Sequence, residues 1–243
     1  ETQVRKQRGP FAEVMHRLSK SPLAMFGLGF ILLLVFCAVF ANFLAPYDFA
    51  KQDLDRKFET PSAEHWLGTD EFGRDILSRL IFGARVSLQV GFIAVGIALV
   101  IGGMLGATAG YYGGWIDNGI MRVMDVLLSI PQTLLAIAIV AALGANLMNL
   151  MIAVGVSAVP TYARIVRGSV LSIRGMEFVE AARSVGSSDL RIILKHIIPN
   201  SMAPIIVQST LGVASAILNA AGLSFIGLGI QPPNPEWGAM LSG

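Results

Sequence analysis

The chain has 243 residues, of which 54% are hydrophobic and only 14% charged, with a formal net charge of +2. Its mean hydropathy of +0.65 is too high for a water-soluble domain of this length. Cys37 is the sole cysteine, which excludes disulfides and cysteine-built metal sites within the chain. The net charge is small, so the placement of the charges carries the information. Residues 1–22 read as a cytoplasmic segment, with Arg5, Lys6, Arg8, Arg17 and Lys20 ahead of the first apolar run. A secretory leader would have a shorter core and a small-residue cleavage site. Residues 23–45 are uncharged for long enough to cross the hydrocarbon, which takes roughly 20 residues. They read as a retained first transmembrane helix with its N-terminus in the cytoplasm.

Residues 46–85 mix acids and bases without a strong basic excess and read as an extracytoplasmic loop. Within it, Glu71 to Phe82 has the pattern of a helix lying along the membrane interface, with Ile76, Leu77, Leu80 and Ile81 on one side. Asp75 and Arg79 would form an acid-then-base i, i+4 pair on that helix. The second span runs from about Val86 to Tyr112, and Gly102, Gly106 and Gly110 give it a smooth face for close helix packing. Gly113, Gly114 and Asp117 mark a cytoplasmic turn. The third span starts with Asn118, Arg122, Asp125, Ser129 and Gln132 on one stripe, where Arg122 and Asp125 can neutralise each other. Pro131 should kink it, and it ends near Gly144. The fourth span, about Leu150 to Ile165, contains Pro160 and leads to Arg164, Arg167 and Arg174. The basic residues and the parity of the spans place the next segment in the cytoplasm.

That segment, residues 174–200, is charged between two apolar runs and reads as two short helices with a hinge. Glu177 and Glu180 fall early in the first helix and Arg183 near its end, the order the helix dipole favours. Gly186 stands where a left-handed C-cap is needed. Ser187 or Ser188 can cap the second helix, with Asp189 in its first turn and Lys195 and His196 in its last. There Leu190, Ile193, Leu194 and Ile197 should share the apolar face, opposite Arg191 and Lys195, and Pro199 should stop the helix. The fifth span, about Ser201 to Ile230, puts Gln208, Gly212, Ser215, Asn219 and Gly222 on one stripe. Polar groups in hydrocarbon face protein or water, so these line a substrate path or bond a neighbouring helix. The full reading is an all-α polytopic membrane protein with a core over residues 86–243.

The string Glu180-Ala181-Ala182, then Gly186, then Ile197-Ile198-Pro199 resembles the EAA loop of ATP-binding-cassette (ABC) importer permeases. Here His196-Ile197-Ile198-Pro199 stands where that family has Ile-x-Leu-Pro. A more specific resemblance lies at Leu67-Gly68-Thr69-Asp70, Gly73-Arg74-Asp75, Ser78-Arg79-Leu80 and Gly83-Ala84-Arg85. That segment is similar to one that marks the dipeptide/oligopeptide branch, C-type subunit, and Gln231 to Gly238 also resembles that branch.

The resemblance implies a transmembrane permease subunit in a prokaryotic cytoplasmic (inner) membrane, embedded in the lipid bilayer, importing dipeptides or oligopeptides. It implies a second homologous permease subunit, two cytoplasmic ATPase subunits carrying ATP and Mg, and an extracytoplasmic substrate-binding protein. It also makes residues 174–200 the coupling loop, with Glu180, Ala181, Ala182, Gly186, Asp189 and Pro199 as its ATPase-coupling residues. Gln208, Ser215 and Asn219 are candidates for the translocation path. The family has a sixth span, so a further C-terminal segment is expected beyond Gly243.

Catalysis by the chain itself is not expected. It has no Gly-x-x-x-x-Gly-Lys phosphate loop, so ATP and other cofactors are not expected on it. His16, His65 and His196 are too scattered for a metal site, and nothing points to nucleic acid. The alternatives are an ion-gradient-driven secondary transporter, or an importer of nickel chelates or glutathione-like cargo. The first would need a buried ionisable group near the midplane. Asp125 is the only acid near a span interior, and it sits towards the cytoplasmic end.

Overall fold

The computed structural model describes residues 18–230 and 233–241. The basic segment with Arg5, Lys6, Arg8, His16 and Arg17 lies outside these, as do Gln231 and Pro232. Regular structure among the described residues is helical, apart from one isolated bridge between Thr69 and Asp75.

Helix α1 spans Pro22–Val39, with Pro22 in the first turn and the Ser21 hydroxyl accepting from the Ala24 amide at 3.4 Å. Proline suits that turn because its missing N–H would have no partner there anyway. The helix breaks at Phe40 and resumes for one turn over Ala41–Leu44. It is apolar all round and almost wholly exposed, the surface of a helix that faces lipid.

Helix α2 spans Ile76–Tyr112. At about 1.5 Å per residue it is longer than the ~30 Å hydrocarbon layer. The separate interfacial helix expected over Glu71–Phe82 does not form. Gly73 takes a φ of +70°, where an added Cβ would overlap the Asp53 carbonyl. Asp75 then caps the new helix by accepting from the Ser78 amide at 2.7 Å. From Ile76 onward nothing breaks the ladder, so the expected interfacial turns become the start of α2. The expected Asp75–Arg79 pair is also absent, because the Asp75 carboxylate is committed to the cap and to His65 at 2.9 Å. Arg79 reaches Asp70 at 3.4 Å instead.

Helices α3, Gly114–Leu128, and α4, Gln132–Leu143, meet at an angle of 87°. Pro131 supplies no N–H, and its predecessor is pushed out of the helical region, so the expected kink is a break. Asp125 does not pair with Arg122 but with Arg164, at 2.7 Å. Helix α5 spans Leu147–Ile173 and carries Pro160 in its interior. Helix α6, Glu177–Ser184, and helix α7, Asp189–Ile192, come next, and helix α8 spans Met202–Phe225. A last turn over Trp237–Met240 folds back so that the Trp237 indole donates to the Leu80 carbonyl at 3.1 Å.

The largest apolar core lies between α2, α5 and α8, around Val90, Ala94, Leu150, Val154, Ala216 and Ala220. Helices α2 and α5 pack closely over much of their length. A Cβ at Gly102 would stand 2.6 Å from the Val159 carbonyl oxygen, and one at Gly106 would overlap the Ala163 carbonyl. The four-residue glycine spacing therefore serves helix packing. By length and composition, four helices among the described residues can cross a membrane, or five if α3 and α4 together form one span.

Candidate functional site

Two short arms joined by a tight turn make up the loop between α5 and α8. The turn is a Schellman motif: the Gly186 amide donates to the Arg183 carbonyl at 3.0 Å and the Ser187 amide to the Ala182 carbonyl at 3.2 Å. Gly186 has a φ of +79°, as this motif requires. On the first arm Val179 and Ala182 are buried, while Glu177, Glu180, Ala181 and Arg183 are exposed. Ser188 occupies the N-cap of the second arm, with Asp189 in its first turn, but no side chain bonds the cap.

The second arm departs from the expected α-helix. After Ile192 the chain forms a π-helical turn over Ile193–Ile197, with the Ile198 amide donating to Ile193, and then continues through Pro199 to Asn200. Pro199 does not stop the helix. It lacks an N–H and crowds the preceding turn, and the wider π turn accommodates both. The apolar face shifts accordingly. Ile192, Ile193 and Ile197 are buried, whereas Leu190 and Leu194 are exposed by 66% and 57%. Val185, at the turn, is exposed by 81%. The loop thus exposes apolar groups together with charged ones of both signs.

Polar contacts fasten the loop to the spans. The Arg174 guanidinium donates to the Gly110 carbonyl at 2.9 Å, at the end of α2. The Tyr111 hydroxyl donates to Asp189 Oδ1 at 2.6 Å. Arg183 in turn donates to that hydroxyl at 3.4 Å, and the bond pushes its guanidinium further toward the charged form. Nearby, Arg167 on α5 holds Asp117 on α3 through a two-pronged contact, one prong of 2.6 Å. None of these pairs carries a sequence signal, because each joins positions far apart in the chain.

Between α2, α5 and α8 lies a cavity of about 100 Å³. Gln208 and Ser215 line it, together with Gln132, Thr161 and Tyr162. Asn219, the third candidate on that stripe, is half-buried and does not line it. The Tyr162 hydroxyl donates to the Gln208 carbonyl at 3.3 Å, passing over Gly212, where any side chain would collide with it. Asn118, Arg122, Asp125, Ser129 and Gln132 are all exposed, so the polar stripe of α3 and the start of α4 is left uncovered by this chain.

The segment between the first helix and α2 is built on buried polar groups. Asp75 accepts from Ser78 Oγ at 2.6 Å and contacts His65, and the Ser78 hydroxyl accepts from the Tyr47 amide at 3.1 Å. Asp70 accepts from Arg74 Nε at 2.7 Å and pairs with Arg79, which also donates to the Phe49 and Pro233 carbonyls. A solvated loop is what the residues alone suggest here. The structure instead uses the same Gly, Thr, Asp, Arg and Ser residues as a hydrogen-bonded cap over the N-terminal end of α2.

A family model described as the inner membrane component of binding-protein-dependent transport systems matches residues 98–243. Another, described as the N-terminal transmembrane domain of oligopeptide transport permease C, matches residues 9–61. The dipeptide transport system permease protein DppC of Alkalihalophilus pseudofirmus is 52% identical over 233 residues, 96% of this chain and 77% of that protein. The chain belongs to the binding-protein-dependent ABC transporter permeases.

A further relative of this permease is the glutathione transport system permease protein GsiD of Escherichia coli O157:H7, 47% identical over 236 residues, 97% of this chain and 78% of that protein. The fold is similar to that in a crystal structure of the inward-facing MetNI methionine ABC transporter, with a TM-score of 0.55 and 21% identity. That match covers 63% of this chain and 76% of the other. As a permease of this family the chain is a multi-pass inner-membrane component, not an enzyme. ATP is bound by partner ATPases, and a binding protein completes the system.

Proposed function

We propose that this permease is the C-type subunit of an importer of dipeptides or oligopeptides, paired with a second homologous permease above two ATPase subunits. Its N-terminus lies in the cytoplasm and the segment over residues 46–75 lies outside. Residues 174–200 dock on an ATPase, with Glu180, Ala181, Ala182, Gly186, Asp189 and Pro199 shaping the docking arms. The geometry of that loop carries the coupling reading. Two short arms on a Schellman turn, the first exposing Glu180 and the second Leu190 and Leu194, hang from the ends of two spans. Exposed apolar residues of this kind, rimmed by polar ones, mark an interaction surface.

Gln208 and Ser215 border the translocation path from the inner side of α8, with Asn219 further along the same stripe. The small cavity beneath Tyr162 supports this, as does the uncovered polar stripe of α3, which lipid would not solvate. The 52% identity to a dipeptide permease favours peptide cargo. Glutathione is the second reading, supported by relatives at 45–47% identity.

Affinity purification of the full chain from its native membrane tests the assembly: two ATPase subunits and a second permease should copurify. Their absence would overturn the proposed pairing with a second permease above two ATPases. Titration of the partner binding protein with dialanine, a longer peptide, glutathione and a nickel chelate decides the cargo. Tight binding of glutathione alone would replace the peptide reading.

A further inference from the structure

Both arms of the coupling loop meet at one hydroxyl. Tyr111, next to last in α2, is 7% exposed. Its ring lies in an apolar cluster with Val166, Val170 and Ile173 of α5 and with Val179, Ala182 and Ile192 of the loop. The Tyr111 hydroxyl donates to Asp189 Oδ1 at 2.6 Å, at the start of the second arm. It accepts from Arg183 Nη2 at 3.4 Å, near the end of the first. The Arg183 guanidinium also lies 5.7 Å from the centre of the Tyr111 ring. Arg183 and Asp189 stand on opposite sides of the Gly186 turn, so one O–H group bridges the hinge and ties both arms to α2.

That bond ends on a carboxylate, which makes it about twice as strong as a neutral one. It also constrains what the apolar cluster does not. Hydrophobic contact is non-directional and tolerates sliding, whereas a hydrogen bond weakens steeply as its angle opens. Arg174 bonds the end of α2 as well, but it precedes both arms and leaves the hinge free.

We propose that the Tyr111 hydroxyl is the joint through which the coupling loop moves the second span, as a positioning residue rather than a docking one. The proposal rests on the coupling role proposed for residues 174–200. With the hydroxyl bonded, the two arms and α2 travel as one body. Without it, the arms pivot at Gly186 and α2 lags behind the motion of the ATPase.

Tyr111→Phe removes the joint and keeps the ring in its cluster. The test uses the whole transporter in nanodiscs, in a Cys37→Ala background, with spin labels on Ser188→Cys in the loop and Val100→Cys in α2. The label-to-label distance is measured with and without vanadate-trapped ATP. Without the Tyr111 substitution, the distance should be the same in both states. With Tyr111→Phe, the population in which the loop is displaced from α2 should grow about tenfold on trapping, the effect of losing one charge-assisted hydrogen bond. Adding Asp189→Ala should widen the distance no further, because the hydroxyl that Asp189 bonds is already gone. Asp189→Ala alone serves the same measurement should Tyr111→Phe fail to assemble.

Identical distances in both states with Tyr111→Phe overturn the joint. Gly186→Val in the same complex, read by stimulation of ATP hydrolysis with the purified binding protein, separates the two claims. If Gly186→Val abolishes stimulation while Tyr111→Phe leaves distances and stimulation unchanged, the loop couples through another contact and the joint falls alone. If neither substitution has an effect, the coupling reading falls and takes the joint with it.

Discussion

At Gly186 the backbone, not the surroundings, restricts which residue can stand. Its φ is +79°, yet an added Cβ would meet nothing within 4 Å. An ordinary L-residue in this left-handed region costs about 1–2 kcal/mol, with the least strain for asparagine. Gly186→Val should therefore reduce binding-protein-stimulated ATP hydrolysis while the chain still inserts, and Gly186→Asn should retain most of it. Gly106 is the opposite case, with ordinary helical geometry and no room. A side chain there would overlap the Ala163 carbonyl and press on the Arg167 amide at 3.0 Å. Gly106→Leu should destabilise the α2–α5 contact by about 1–3 kcal/mol or more, seen as a lower melting temperature of the solubilised complex. Both glycines were legible from local pattern, one as a helix terminator and one as part of a four-residue repeat. The atoms facing Gly106 were not, because they belong to a helix that no local pattern pairs with it.

Among the elements, the second arm of the loop departs furthest from its sequence pattern. An i, i+3, i+4, i+7 template assumes a uniform helix, and the π turn over Ile193–Ile197 breaks that uniformity. The turn carries in effect one additional residue, and each residue of an α-helix turns the face by about 100°. Pro199→Ala should let the turn close into a regular helix. We expect unchanged or higher thermal stability together with weaker stimulation of ATP hydrolysis, since Leu190 and Leu194 would be re-aimed. Equal stimulation at equal stability would show that the aim of these leucines is unimportant. The spans were easier to read, because uncharged length is a property of the sequence itself. The 87° break between α3 and α4 was legible only as the presence of Pro131, since the size of a bend depends on what packs against each half. The start of α2 was misplaced for a related reason. The Asp75 cap and the Gly73 turn decide it, and both depend on Asp53, Thr69 and His65 arriving from the loop.

For the whole molecule, the test is which surfaces meet water. In a Cys37→Ala background, Ser62→Cys and Asn234→Cys should react with an impermeant thiol reagent from outside intact cells. Ser188→Cys should react only after the membrane is opened, and its labelling in intact cells would invert the proposed orientation. Along α8, Gln208→Cys and Ser215→Cys should react with a small water-soluble reagent to an extent that changes when ATP is trapped. Val207→Cys and Leu218→Cys, on side chains exposed by 60% and 73% in the isolated chain, should stay protected by lipid in both states. Equal reactivity at all four sites would leave the stripe as helix packing.

The sparse cover of α8 has a further consequence for the cell. Only 17% of its most apolar window is buried within this chain, against 61% for α5. Its exposed faces mix leucines with Thr210 and Ser215, and α3 leaves an ionised pair half in the open. A polypeptide in that condition is finished only by its neighbours. Made in excess, it would be an orphan for membrane proteases to clear, so the number of working transporters would track the scarcest partner rather than the output of this gene.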